Sequence, residues 1–236
     1  MASNAGALAL VGSGEYSLPM LEFEAELLHR AILRGKRNTF VQIPTASSHE
    51  GEDRRRYWRE KGAEQAARIG AECIYLPIHE SKDAHTDAFL EDIENAGLIY
   101  FSGGDPHRVA EIFRGSLTWQ AIVQGYANGT SLAGCSAGAM AFGGTIMGLR
   151  RSVHSPGLDL LPNIEVIPHY DKMLGWLPER VTAFVLRPDA QTTLLGVDEN
   201  TALVYTDKWQ RYGRGKVHLL RGALEISPEP FPITKP

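Results

Sequence analysis

Cysteine is scarce in this 236-residue chain: Cys73 and Cys135 are the whole supply. Two thiols so far apart give neither a disulfide framework nor a metal-ligand spacing, so stability has to come from a packed core. Charge of one sign is lacking as well. A net charge of -4, with 22% charged residues, gives no electrostatic case for nucleic acid or an anionic membrane surface. Long hydrophobic runs are also missing. The N-terminal apolar stretch Ala5–Val11 has no basic leader and is too short to span a bilayer, so it reads as a first strand rather than a signal peptide, and the expected location is the cytoplasm. There is no linker, repeat or low-complexity tract, and the expectation is one domain over residues 1–236.

What is present is an alternation of apolar strands and amphipathic helices. Ala7–Val11 reads as a strand buried on both faces, and Phe40–Ile43, Cys73–Leu76 and Leu98–Phe101 as the strands that follow it. Between and after them come expected helices over Pro19–Arg34, from near Gly51, over Thr86–Asn95, Pro106–Phe113 and Thr118–Tyr126. This is the pattern of an α/β protein with a doubly wound, mostly parallel sheet. Ile164–Ile167, Leu194–Val197 and Ala202–Tyr205 are further strands, Pro178–Leu186 a further helix, and Lys216–Leu220 and Ala223–Ile226 read as short antiparallel strands near the C-terminus. Gly12-Ser13-Gly14 after the first strand begins like a dinucleotide fingerprint, but Ser17 stands where the third glycine belongs. The run Arg54, Arg55, Arg56 and Arg59, interleaved with Glu52, Asp53 and Glu60, reads as a solvated helix face.

The stretch with chemistry in it is Leu132–Gly144, LAGCSAGAMAFGG. Gly134-Cys135-Ser136-Ala137-Gly138 has the G-x-S-x-G form of a nucleophile elbow, in which a strained serine stands between strand and helix and small neighbours prevent their collision. Such a turn lifts Ser136 Oγ to the carboxyl edge of the sheet and aims the Ala137 N–H at a developing oxyanion. A second glycine-rich turn, Ser102-Gly103-Gly104-Asp105, closes the preceding strand and is expected beside the elbow.

A serine hydroxyl needs a base. Of eight histidines, His169 follows an apolar strand and a proline on the same half of the chain as the elbow, and is preferred to His107 and His154. The alternative is a surface histidine held by Tyr170 or Asp171. An acid should orient the imidazole, and Glu199, Asp198 and Asp171 all remain open on position alone. Cys135 raises the competing idea of a thiol amidotransferase, against which the register argues, because the nucleophile stands at the centre of the pentapeptide. A catalytically silent protein that binds a small ligand is the third reading.

Taken together, GCSAGA (134–139), FSGGD (101–105), IPTASS (43–48), PH (168–169) and GVDENTAL (196–203) resemble the cyanophycinase and peptidase E (aspartyl dipeptidase) family of serine peptidases. The resemblance implies a class I glutamine amidotransferase-like fold, hydrolysis of small peptides bearing an aspartyl or isoaspartyl residue, and neither metal nor cofactor. It also implies Ser136 as nucleophile, His169 as base, Glu199 as the third member, and an oxyanion hole made by the N–H groups of Gly104 and Ala137. Pro106 after GGD and Tyr170–Met173 after the histidine differ from cyanophycinase, which has glutamine and an arginine-rich stretch there, and argue against cyanophycin as substrate. Where peptidase E places an acid after the nucleophile helix, this chain has Arg150 and Arg151, and an arginine there would suit a substrate carboxylate. The expected partner is thus a small peptide, and a homodimer is compatible with the sequence.

Overall fold

The computed structural model describes residues 4–147, 154–173 and 191–234. Its centre is a seven-stranded sheet whose first strand, β1 (Leu8–Val11), lies parallel to β5 (Ser131–Cys135). Beyond β5 come β4 (Leu98–Phe101), β2 (Thr39–Ile43) and β3 (Glu72–Tyr75), all parallel. On its other side β1 pairs antiparallel with β10 (Thr201–Tyr205), and β10 with β11 (Trp209–Gly213). A second sheet of three strands sets β9 (Thr193–Val197) between parallel β8 (Ile164–Ile167) and antiparallel β12 (Val217–Arg221). A small hairpin pairs β6 (Thr145–Ile146) with β7 (Ser155–Pro156).

The two faces of the large sheet carry separate cores, sorted by the alternation of side chains along each strand. Ala9, Val11, Tyr100, Ala133 and Cys135 face α1 (Leu21–Ile32) and α2 (Glu52–Arg68), where Phe23, Leu27, Leu28 and Ala66 close over them. Leu8, Leu10, Ile99, Phe101 and Leu132 face the opposite way, against α5 (Pro106–Phe113), α6 (Leu117–Ala127) and α7 (Ala137–Ala141). There Phe101 makes edge-on contacts with Phe113, Trp119 and Phe142 at 5.2–6.2 Å between ring centroids. A sheet buried on both sides accounts for the unbroken apolar runs of β1 and β4.

Several boundaries differ from the sequence reading. The expected helix over residues 86–95 is only α4 (Leu90–Glu94), preceded by a turn of helix α3 (Ser81–Ala84) closed by a capping box between Glu80 and Asp83. Residues 223–226 form no strand. Ile226 makes a lone bridge to Trp209, and the strand in this region is β11, whose mixed polar composition hides its alternation. The helix expected over Pro178–Leu186 lies outside the described residues, as do Arg150 and Arg151. The basic face of α2 pairs with its own acids, Arg55 with Glu52 and Arg56 with Asp53. No helix among the described residues is long and apolar enough to cross a membrane.

Candidate active site

The parallel strands end along one edge of the sheet, and the loops that leave β1, β4 and β5 meet there. The turn after β5 is an elbow in the backbone itself. Ser136 has φ 50° and ψ -106°, a conformation that costs a non-glycine residue about 1–3 kcal/mol and persists only where the surroundings enforce it. Enforcement comes from the flanking glycines. A Cβ on Gly134 would stand 2.6 Å from the Gly138 carbonyl carbon, and a Cβ on Gly138 would stand 2.8 Å from Phe101 O and Cβ. Strand, helix and neighbouring strand therefore touch backbone to backbone. The Ser136 N–H donates to Val11 O at 2.9 Å, which ties the elbow to the end of β1.

The other sheet supplies the candidate base. His169 follows β8, caps α8 (Tyr170–Met173) and donates its own N–H to Gly12 O at 3.3 Å. Its φ is 48°. The ring reaches Ser136 Oγ through Nε2 at 3.2 Å and Glu199 Oε1 through Nδ1 at 3.1 Å. Glu199 stands on the turn between β9 and β10, where its N–H donates to Asp171 Oδ1 at 2.9 Å. Of the five non-glycine residues with positive φ among the described residues, Tyr16, Ser136, His169 and Asn200 lie in these converging loops, so backbone strain is concentrated where they meet.

The competing assignments find other partners. Asp198 is buried, accepts the Lys216 N–H at 2.8 Å and pairs with His218 Nε2 at 3.0 Å. His218 in turn packs on the ring of Tyr170, 4.5 Å between centroids. Asp171 accepts the Glu199 N–H, and it is Glu199, not Asp171, that meets the imidazole. His107 lies against Ser155 Oγ, and His154 is exposed. Cys135 is fully buried on the α1 side of the sheet and donates its thiol to Glu15 Oε2 at 2.9 Å. Burial, reinforced by the Glu15 carboxylate, holds the Cys135 thiol well above its ordinary pKa, so it stays protonated and a poor nucleophile.

Opposite the elbow, the turn after β4 presents Gly103 and Gly104. Gly104 has φ 140°, and a Cβ there would lie 2.6 Å from the carbonyl carbon of Ala46. Only glycine fits this crossing, which Asp105 locks by donating its N–H to Ala46 O at 2.9 Å. The Asp105 side chain then caps α5 at the His107 N–H. Neither the Gly104 N–H nor the Ala137 N–H is taken by an acceptor among the described residues. Gly104 is exposed, and Ser136 is partly so.

Sequence reasoning missed the loop after β1. Gly12 packs against the backbone of Asp198, since a Cβ there would lie 2.1 Å from Asp198 O, and Gly12 and Val11 carry the acceptors for His169 and Ser136. The glycines that begin like a dinucleotide fingerprint instead let three chain segments converge. Glu15, in the same loop, accepts the Gly103 N–H through Oε1 at 2.9 Å. An acid placed just after a glycine turn at a strand end was the available signal. Among the described residues no group of three or more His, Cys, Asp or Glu side chains is arranged to hold a metal ion.

Fold and site define a class: α/β proteins with a serine on a strained strand-to-helix elbow at the carboxyl edge of a largely parallel sheet. Residues 8–212 match the profile of Peptidase family S51, and the chain belongs to that family of serine-type peptidases. A solved peptidase from an acI-B1 Actinobacterium is 42% identical to this chain, with 93% of this chain and 92% of the other covered and a TM-score of 0.85. A protein from Listeria monocytogenes EGD-e, provisionally called a peptidase E, shares the fold at 19% identity, with 89% of this chain and 100% of the other covered and a TM-score of 0.63. No curated protein matches the chain.

Proposed function

We propose that this peptidase is an exopeptidase or dipeptidase that cleaves small peptides through an acyl-enzyme on Ser136. The observation that carries the reading is the unbroken relay of Ser136 Oγ, His169 Nε2, His169 Nδ1 and Glu199 Oε1, at 3.2 and 3.1 Å. His169 takes the hydroxyl proton as Ser136 attacks the scissile carbonyl, then delivers it to the leaving amine. Glu199 holds the ring with Nδ1 protonated and Nε2 free to accept. The Gly104 and Ala137 N–H groups receive the oxyanion, and a hole of this type contributes about 10²–10³-fold in kcat for each donor. Water then hydrolyses the ester by the same steps in reverse roles.

Aspartyl or isoaspartyl peptides are the proposed substrates, on the strength of the shared motifs. The proposed setting is the cytoplasm, as a monomer or homodimer acting on small peptides. Intact-mass analysis after treatment with a fluorophosphonate tests the nucleophile. One adduct on the wild type, none on Ser136→Ala and slowed labelling of His169→Ala are expected, followed by turnover of aspartyl or isoaspartyl dipeptides. An unlabelled wild type would remove the acyl-enzyme reading and favour a silent, ligand-binding protein.

A further inference from the structure

One carboxylate beside the nucleophile has no part in the relay. Glu15 is half-buried, and its two oxygens accept one N–H, from Gly103, and one thiol, from Cys135. No lysine, arginine or histidine among the described residues pairs with it. A carboxylate drawn out of water and left without a cation is electrostatically incomplete.

The space in front of it is kept open by Gly103. A Cβ on Gly103 would stand 2.9 Å from Glu15 Oε1, 3.4 Å from Ser136 Cβ and 3.8 Å from Ser136 Oγ. The missing side chain thus marks a point in contact with both the carboxylate and the nucleophile. An attacked carbonyl carbon lies about 3 Å from the serine oxygen in a reactive pose. In a peptide cleaved after its first residue, the α-amino nitrogen is only two bonds from that carbon. An ammonium there falls within reach of Glu15.

We infer that Glu15 is the anchor for the free α-ammonium group of the substrate, and so the residue that restricts this enzyme to the first peptide bond. The inference rests on the exopeptidase reading and names what enforces it. The ammonium supplies the missing cation, and each carboxylate oxygen retains a second lone pair for it beyond the Gly103 or Cys135 contact. Acetylating the substrate amine removes both the charge and two of the donors.

The test compares Asp-Leu and Ala-Leu with their N-acetyl forms on the wild type and on Glu15→Gln, which keeps an acceptor for the Gly103 N–H. In the wild type kcat/KM favours the free amine by at least tenfold. Glu15→Gln lowers that ratio by about tenfold or more, chiefly through KM on the free peptides. A ratio that Glu15→Gln leaves unchanged would overturn the assignment and make Glu15 a support of the oxyanion loop only. A measurement on the wild type alone guards against a variant that fails to fold: free Asp-Leu slows fluorophosphonate labelling at concentrations where N-acetyl-Asp-Leu does not. That protection weakens as pH rises through the ionisation of the peptide amine, near 7.7–8.0. Equal protection by both peptides also overturns the assignment. A wild type that does not label at all sinks instead the acyl-enzyme reading beneath it.

Discussion

The proposed nucleophile and its proposed base are held in different ways. Ser136 sits on the large sheet, where glycines at 134 and 138 bring backbone against backbone and the serine's own dihedrals are forced. His169 and Glu199 come from the ends of β8 and β9 in the small sheet, and hydrogen bonds hold them: Gly12 O to the His169 N–H, Asp171 to the Glu199 N–H, Asp198 to His218 behind them. The first arrangement tolerates almost no added atom. The second tolerates substitution but loses alignment by degrees. A close backbone crossing fixes a position through sterics that rise steeply, whereas a hydrogen bond contributes about 0.5–1.5 kcal/mol net and can be partly replaced by water.

The largest expected effect is on the rigid side. Ser136→Ala should lower kcat by about 10³-fold or more with the fold intact, measured by peptide turnover alongside the thermal transition. Gly134→Val should do equal damage by another route, because its side chain meets the Gly138–Ala139 backbone. A loss of stability of about 1–3 kcal/mol or more is expected in urea unfolding, and a variant as stable as wild type would mean the crossing is looser than described.

On the side held by hydrogen bonds, Glu199→Gln should cut kcat by about 10²–10⁴-fold with little change in KM, since it spoils the imidazole tautomer and not substrate binding. Its neighbour provides the control. Asp198→Asn should leave most activity and cost about 1–3 kcal/mol of stability, because a buried acceptor of the Lys216 N–H and His218 is weakened. If the two acids exchanged these phenotypes, the assignment of the relay would have to be reversed. Asp171→Ala, which removes only the acceptor of the Glu199 N–H, should cost severalfold in kcat.

A separate effect, on stability and not on turnover, concerns pH and the buried face of the large sheet. Glu24 is fully buried against Gln65 and the Tyr16 N–H, and burial pushes its carboxyl up to about 8. The folded chain therefore binds a proton that the unfolded chain has already lost. Stability from this group is complete below about pH 4.5 and declines as pH rises toward 8, by up to about 1.4 kcal/mol per pH unit. Denaturation midpoints at pH 5.5 and 7.5 should differ in that direction in the wild type, and the difference should shrink in Glu24→Gln.

The same contrast explains what could be read from the sequence. Backbone-made features leave composition behind: glycines at 134, 138, 103 and 104 and the apolar strands before them marked the elbow, the facing turn and the neighbouring strands β4 and β5. Side-chain-made features leave only position. His169 and Glu199 were legible as polar residues at the ends of apolar strands, yet nothing local separates Glu199 from Asp198, which is held toward β12 by Lys216 and His218 while Glu199 already stands in the turn. Glu15 was passed over because its importance comes from contacts 88 and 120 residues away. The small sheet was hidden for a related reason, since periodicity identifies strands and says nothing of which sheet they join.

The end of β1 joins segments that are far apart in the order of synthesis. Val11 accepts from the elbow, Gly12 accepts from His169 and donates to Thr201, and β1 pairs along its length with Ala202–Tyr205. Its position is therefore not complete until β10 has been made and folded back beside it. Contacts of such long range close late, and chains that depend on them fold slowly. For a peptidase this is a form of timing: a nascent chain that has already emerged with its serine cannot assemble the proposed relay, which is complete only when the last third of the protein has folded back.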